Sequence, residues 1–176
     1  MVAPFEGGHR GPPLPQFMIA YLSIGSNIRP SKNIPACLKK LKENFRVRRT
    51  SSIYETSPVG PVGKKKFWNL AVQIETSFSK PEFLRRLRAI EKALGRRRTT
   101  NRFAPRPIDI DLILFRNWRR PGFEKLAFVL IPLAEIAPRL KPAGFKNPLG
   151  ELARAFPDPR QKVRKIRRAP SRSQKI

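Results

Sequence analysis

The chain has 176 residues, is 40% hydrophobic, and carries 38 Lys and Arg against 12 Asp and Glu, a formal charge of +26. That length buries a core and suits one domain with tails, and that charge draws anions: nucleotides, nucleic acid or acidic surfaces. One cysteine, Cys37, and one histidine, His9 in a Gly/Pro-rich leader, exclude a disulfide framework, a thiolate zinc site and a histidine-based triad, and no apolar run is long enough to span a bilayer.

Residues 1–16 are expected to form a disordered leader, because Gly and Pro dominate and no periodicity appears. The leader lacks the apolar core of a signal peptide, so a cytoplasmic protein is the simple reading. FMIAYLSI (17–24) predicts a strand broken by Gly25, Ser26 and Asn27. Ser31 is the expected cap of a helix carrying Ile34, Cys37, Leu38 and Leu41, with Pro35 in its first turn. FRVRRTSSIYET (45–56) predicts a second strand and FWNLAVQIET (67–76) a third, whose faces alternate Trp68, Leu70, Val72, Ile74 with Phe67, Asn69, Ala71, Gln73. Ser79 and Glu82 form a capping box ahead of Phe83, Leu87, Ile90 and Leu94, and Gly95 is placed to end that helix. IDIDLILF then predicts a strand, FVLIPLAEIAP a strand end followed by a helical turn, and residues 148–156 a short helix. The order strand, helix, strand, strand, helix, strand predicts an α+β, ferredoxin-like βαββαβ sandwich: an antiparallel sheet with helices on one face. The domain is expected over 17–159, and the cation-rich segment 160–176 is expected to be a basic, flexible tail.

Two of the chain's three aspartates, Asp109 and Asp111, lie in the apolar strand IDIDLILF. Strand alternation points both to one face, with Cα atoms about 6.5 to 7 Å apart, and Ile113 and Phe115 should follow on that face. An amphipathic strand with an exposed first half accounts for this spacing; so does a metal site. Asp is disfavoured in strands, and two carboxylates this close repel unless a cation lies between them. The preceding GRRRTTNRFAPRP adds Arg96, Arg97, Arg98, Arg102 and Arg106, which suit phosphate oxygens, a solvated charge run or RNA. Carboxylates beside phosphate-binding arginines are the parts of a magnesium-nucleotide site. Glu91 borders the buried stripe of its helix, where a partly exposed, paired glutamate is the ordinary occupant. Phe67 and Asn69 share a face that serves either core packing or the stacking and reading of a flat heterocycle. VGPVGKKK lacks the spacing of a phosphate loop.

Together these segments resemble the 6-hydroxymethyl-7,8-dihydropterin pyrophosphokinase family. RFAPRPIDIDLILF matches its signature of Pro-Arg, two residues and D-x-D, and AYLSIGSN, SIYETSPVGP, FWNLAVQIET, AIEKALGRRR and FVLIPLAEIAP match in order over roughly 17–166. The resemblance implies transfer of diphosphate from ATP to the pterin hydroxymethyl oxygen, with AMP leaving, in folate biosynthesis. It implies two Mg2+ ions on Asp109 and Asp111, and Arg96 and Arg106 stabilising the transferred group. It places Glu91, Arg98, Arg96 and Arg106 on the ATP side, Phe67 and Phe128 around the pterin ring, and Asn69, Thr56 and Val59 at its polar edge. The expected partners are ATP and the pterin, with no membrane, a monomeric state, and weak nonspecific nucleic-acid contact through the basic tail. Two positions depart from the family pattern: Arg120-Pro121 stands where His-Pro is usual, and Leu126 where an Arg is usual. Arg119 and Arg120 are the nearby cations that could substitute. The other reading is a catalytically weakened relict of this family or a basic RNA-binding module on a similar sheet; plain RNA binding leaves the carboxylate pair unexplained.

Overall fold

A computed structural model describes residues 16–57, 66–97, 104–158 and 160–167. Its centre is β1 (Met18–Ser26), paired antiparallel on one side with β4 (Phe67–Thr76) and on the other with β5 (Asp109–Phe115). Beyond β4 come β2 (Arg46–Thr50) and β3 (Ile53–Thr56), and beyond β5 the two-residue β6 (Trp118–Arg119). This is the expected α+β arrangement, with every described strand pair antiparallel. The strand expected over 45–56 is split at Ser51 and Ser52. Ser51 N–H donates to Ala71 O at 2.9 Å, but the returning bond runs from Ala71 N–H to Ser51 Oγ at 2.8 Å. A hydroxyl thus stands in for a ladder carbonyl, and the strand breaks there.

The alternation along β4 divides two cores. Leu70, Val72 and Ile74 face α1 (Pro30–Asn44) and α2 (Lys80–Ala93), where Phe83, Leu87, Ile34 and Leu41 are fully buried. Each such side chain contributes about 1.5 to 3 kcal/mol relative to exposure. Ala71 faces the other way, toward α3 (Ala127–Ile136) and α4 (Leu149–Arg154). Helices therefore cover both faces, not one. FVLIPLAEIAP is helical from Ala127 onward rather than a strand end; a helix buried against a sheet on one side and α4 on the other carries no polar face, so it shows no 3.6-residue period.

Three local expectations also change. Pro30 opens α1 and Arg29 is its N-cap, so Ser31 lies inside the first turn and Pro35 inside the helix. A bulge against Tyr21 and Leu22 shifts the phase of β5. Ile113 stays on the aspartate side with Leu114, but Phe115 turns to the opposite face and stacks on Phe83 at 5.9 Å. Finally, Val163–Arg167, inside the segment expected as a flexible tail, forms β7, which adds to the edge of β3. Gln161 just before it accepts from Ala127 N–H at 2.9 Å and donates to Lys125 O at 3.0 Å, capping α3. Lys165 and Ser52 both bond Glu135 of α3, which ties β7, β3 and α3 together. Among the described residues no helix is long and apolar enough to cross a membrane.

Candidate active site

One transverse row of the sheet reads Tyr54, Asn69, Gly25, Asp109 across β3, β4, β1 and β5. Paired residues in adjacent strands share a face, so Asn69 and Asp109 flank the position that has no side chain. A Cβ on Gly25 would stand 2.9 Å from Asn69 Oδ1; glycine leaves the floor on which the Asn69 amide lies. Asn69 is 3% exposed, and its Nδ2 donates to Thr56 Oγ1 at 2.8 Å. That bond fixes the amide orientation, with Oδ1 toward Gly25. Phe67, half-buried, lies two residues back on the same face, opposite Thr56.

Asp111 lies opposite Ser23, one pair further along the same face as Asp109. The cations demanded by two neighbouring carboxylates are guanidinium groups. Arg96 and Arg106 both pair with Asp109, and Arg120 pairs with Asp111. The Asp111 carboxyl is raised above its usual value, first by desolvation and next by the charge of Asp109, with Arg120 opposing. Among the described residues no cluster of three or more His, Cys, Asp or Glu could hold a metal. The pair nonetheless suits Mg2+, which takes one or two protein carboxylates and completes its shell with water and substrate phosphates.

Each arginine arrives by a local cause. Gly95, at φ 85°, ends α2, and Arg96 N–H closes the turn onto Glu91 O at 3.0 Å. The Arg96 guanidinium then reaches back to Glu91 Oε1 at 2.9 Å and to Ile108 O at 3.1 Å. Glu91 is only 2% exposed and also accepts from Ile110 N–H at 2.9 Å, on the side of β5 away from β1. It therefore sits behind Arg96, where its reach to a nucleotide runs through that arginine. Arg106 is docked onto the end of β1: Arg106 N–H donates to Asn27 Oδ1 at 2.7 Å, and Ser26 Oγ donates to Pro107 O at 2.6 Å. Its guanidinium lies 6.0 Å from the centre of the Phe67 ring, so one side chain joins the aromatic face to the carboxylates.

Phe128 lies half-buried near the start of α3 against the second core. The structure thus brings Arg96, Arg106, Asp109, Asp111 and Glu91 into one cluster, adjoining Phe67, Asn69 and Thr56. Val59 and Arg98 lie outside the described residues. Gly25 and Asn27 read from the sequence only as the break after the first strand, and Gln161 carries no local signal, so none of the three is among the expected site residues. Of the two substitute cations, Arg120 reaches the carboxylates. Arg119 turns away, donating to Ala143 O at 3.0 Å with its guanidinium 4.9 Å from the Phe145 ring centre.

The family model for 7,8-dihydro-6-hydroxymethylpterin-pyrophosphokinase (HPPK) matches residues 21–138. The 2-amino-4-hydroxy-6-hydroxymethyldihydropteridine pyrophosphokinase of Bacillus subtilis (strain 168) is 36% identical over 135 residues, 70% of this chain and 80% of the relative. The enzyme of the same name from Aquifex aeolicus (strain VF5) is 30% identical over 141 residues, 74% and 88% of the two chains. The fold is similar to Plasmodium falciparum wild-type HPPK-DHPS with SDX-DHP, at TM-score 0.63 and 15% identity over 80% of this chain and 44% of that one.

Proposed function

The chain belongs to the 7,8-dihydro-6-hydroxymethylpterin-pyrophosphokinase family, and from that premise we propose how its residues carry the reaction. The protein is an ATP-dependent diphosphotransferase of folate synthesis: diphosphate passes from ATP to the hydroxymethyl oxygen of 6-hydroxymethyl-7,8-dihydropterin and AMP leaves. One observation carries the assignment of residues. Arg106 lies over the Phe67 ring at 6.0 Å and pairs with the Asp109 carboxylate, and Gly25 leaves open the row between Asn69 and Asp109. A flat ring on Phe67, read by Asn69, would hold its side-chain oxygen beside the phosphate-binding groups.

Phe67 and Phe128 sandwich the pterin; Asn69, with Thr56 and Val59, binds its polar edge. Asp109 and Asp111 would hold two magnesium ions, which when bound neutralise phosphate oxygens and activate the attacking hydroxyl. Arg96 and Arg106, with Arg98, bind phosphate oxygens and stabilise charge on the transferred group. Glu91 is a positioning residue, holding Arg96. Positioning and electrostatic stabilisation supply most of what such a transfer requires, so no histidine base is needed. We also infer a monomeric cytoplasmic enzyme whose basic tail makes weak nonspecific contact with nucleic acid.

The test is AMP formation that depends on hydroxymethyl-dihydropterin. Asp109→Ala with Asp111→Ala should abolish it, with loss of magnesium-dependent ATP binding. Soluble, folded wild-type protein that forms no AMP at saturating ATP refutes the reading.

A further inference from the structure

We propose that Arg120 is a tethered counter-ion: it neutralises Asp111 in the ligand-free protein, yields that carboxylate to a divalent cation, and then binds a phosphate oxygen of the nucleotide. This inference rests on the pyrophosphokinase reading and adds a residue to its nucleotide site.

Among the described residues, the three arginines at the carboxylates are not held alike. Arg96 is clamped by Glu91, Ile108 O and Asp109 and is mostly buried. Arg106 is docked through its backbone on Asn27 and has Asp109 as a partner. Arg120 makes its described side-chain ion pair with Asp111 alone, in a setting where the two side chains are 39% and 43% exposed. With about two-fifths of each side chain in solvent the pair is partly screened, which lowers the cost of exchanging its partner. The backbone beneath it is fixed: Arg120 N–H donates to Ile113 O at 2.8 Å, extending the β5–β6 ladder. Pro121 and Gly122, the latter at φ 75°, turn the chain away directly afterwards. A fixed root and a loosely held guanidinium describe a side chain that swings from one anion to another.

Charge supplies the reason for the swing. A divalent cation at Asp111 repels a guanidinium on the same carboxylate, and the polyphosphate that accompanies it offers an anion within the arc of the same side chain. Guanidinium groups bind phosphate through forked hydrogen bonds, which an ammonium cannot reproduce. Arg119 makes no such offer, because the Ala143 carbonyl and the Phe145 ring hold it elsewhere.

The 176-residue chain is titrated calorimetrically with Mn2+ alone, and then, with Mg2+ present, with a non-hydrolysable ATP analogue. In Arg120→Gln the two affinities should move in opposite directions. Mn2+ alone should bind about two- to fivefold more tightly, since its competitor is gone. The analogue should bind roughly tenfold more weakly, since a charge-assisted contact is lost. Arg120→Lys should lose less nucleotide affinity than Arg120→Gln, and Arg119→Gln should match wild type in both titrations. Melting curves confirm that each variant is folded. Unchanged titrations overturn the inference. So does a joint weakening of Mn2+ and analogue, which would make Arg120 a residue that only places Asp111. Wild-type protein that binds no analogue refutes the pyrophosphokinase reading itself, whereas normal wild-type binding with a wild-type-like Arg120→Gln refutes the counter-ion role alone.

Discussion

Gly25→Ala separates the pterin site from the stability of the sheet that carries it. The new methyl would meet Asn69 Oδ1 at 2.9 Å, where ordinary contact begins at 3.4 Å, so the amide must retreat by about 0.5 Å. Its other end is held by the 2.8 Å bond to Thr56 Oγ1, which that retreat stretches or breaks. Losing this neutral hydrogen bond costs about 1 kcal/mol, and removing glycine's freedom from the unfolded chain returns about 0.4 to 1 kcal/mol. Net stability should therefore change by less than about 1 kcal/mol. The pterin, however, loses a preset amide worth roughly one or two hydrogen bonds, about 1 to 2 kcal/mol, or roughly 5- to 30-fold in kcat/KM. Initial rates of AMP formation against pterin, at saturating ATP, read this directly, alongside the thermal midpoint and the KM for ATP. A variant with unchanged pterin kcat/KM, or one whose ATP KM rises as much as its pterin KM, would falsify the assignment of this row to the pterin.

Glu91→Gln keeps an acceptor for Ile110 N–H but removes the charge that anchors Arg96. It should cost about 2 kcal/mol, a fall in Tm of about 4–8 °C, with a larger loss in kcat than in pterin affinity. Glu135 tests the tie between β3, α3 and β7 through pH. Burial pushes its carboxyl up, but hydrogen bonds from Ser52, Lys165 and Tyr54 outweigh that and hold it below its usual value. A depressed folded pKa contributes stability above the unfolded pKa, lost as pH falls through the folded one. Glu135→Gln should therefore melt below wild type near neutral pH, and the gap should close as both are taken into acid; a constant gap refutes the linkage. Gln161→Ala removes the cap on α3, costing about 1 kcal/mol. Because Phe128 rides on that first turn, pterin KM should rise while ATP KM holds, and equal effects on both would show that the cap serves the fold alone.

Much of the frame was written in strong local signals. The Ser79–Glu82 box, the alternation of β4 and the glycine after α2 each act within a few residues, so sequence spacing captures them. The opposite is true of α3, whose continuous apolar run reflects two packing partners distant in the chain. Phe115 was misplaced because a bulge depends on the register against β1, which no pattern within β5 encodes. The basic segment after 159 reads as a tail because Asp158, paired with Arg160, is its one acid close in sequence; Arg164 and Lys165 find theirs in Glu55 of β3 and Glu135 of α3. The site shows the same division. Asp109 and Asp111 stand out as acids in an apolar strand, whereas Glu91 behind Arg96 becomes distinctive only once the turn at Gly95 folds the arginine back.

The charges at the site bear on what the charge of the whole chain does. Arg96, Arg106 and Arg120 face Glu91, Asp109 and Asp111, three positive groups against three negative among the described residues. Fully ionised ATP with two magnesium ions is itself close to neutral, with about four charges of each sign. Among the described residues the two sets balance, so a near-neutral load adds no buried net charge to this cluster, which would otherwise cost several kcal/mol per ion. Most of the chain's formal +26 lies outside this cluster, where it acts over distance on incoming anions. Salt separates the two. Raising ionic strength from about 0.05 to 0.3 M shortens the screening length from roughly 14 to 6 Å. It should raise the KM for ATP several-fold while kcat, set by contacts inside that length, stays within about twofold. A kcat that falls in step with ATP capture would mean that the surplus charge reaches into the site.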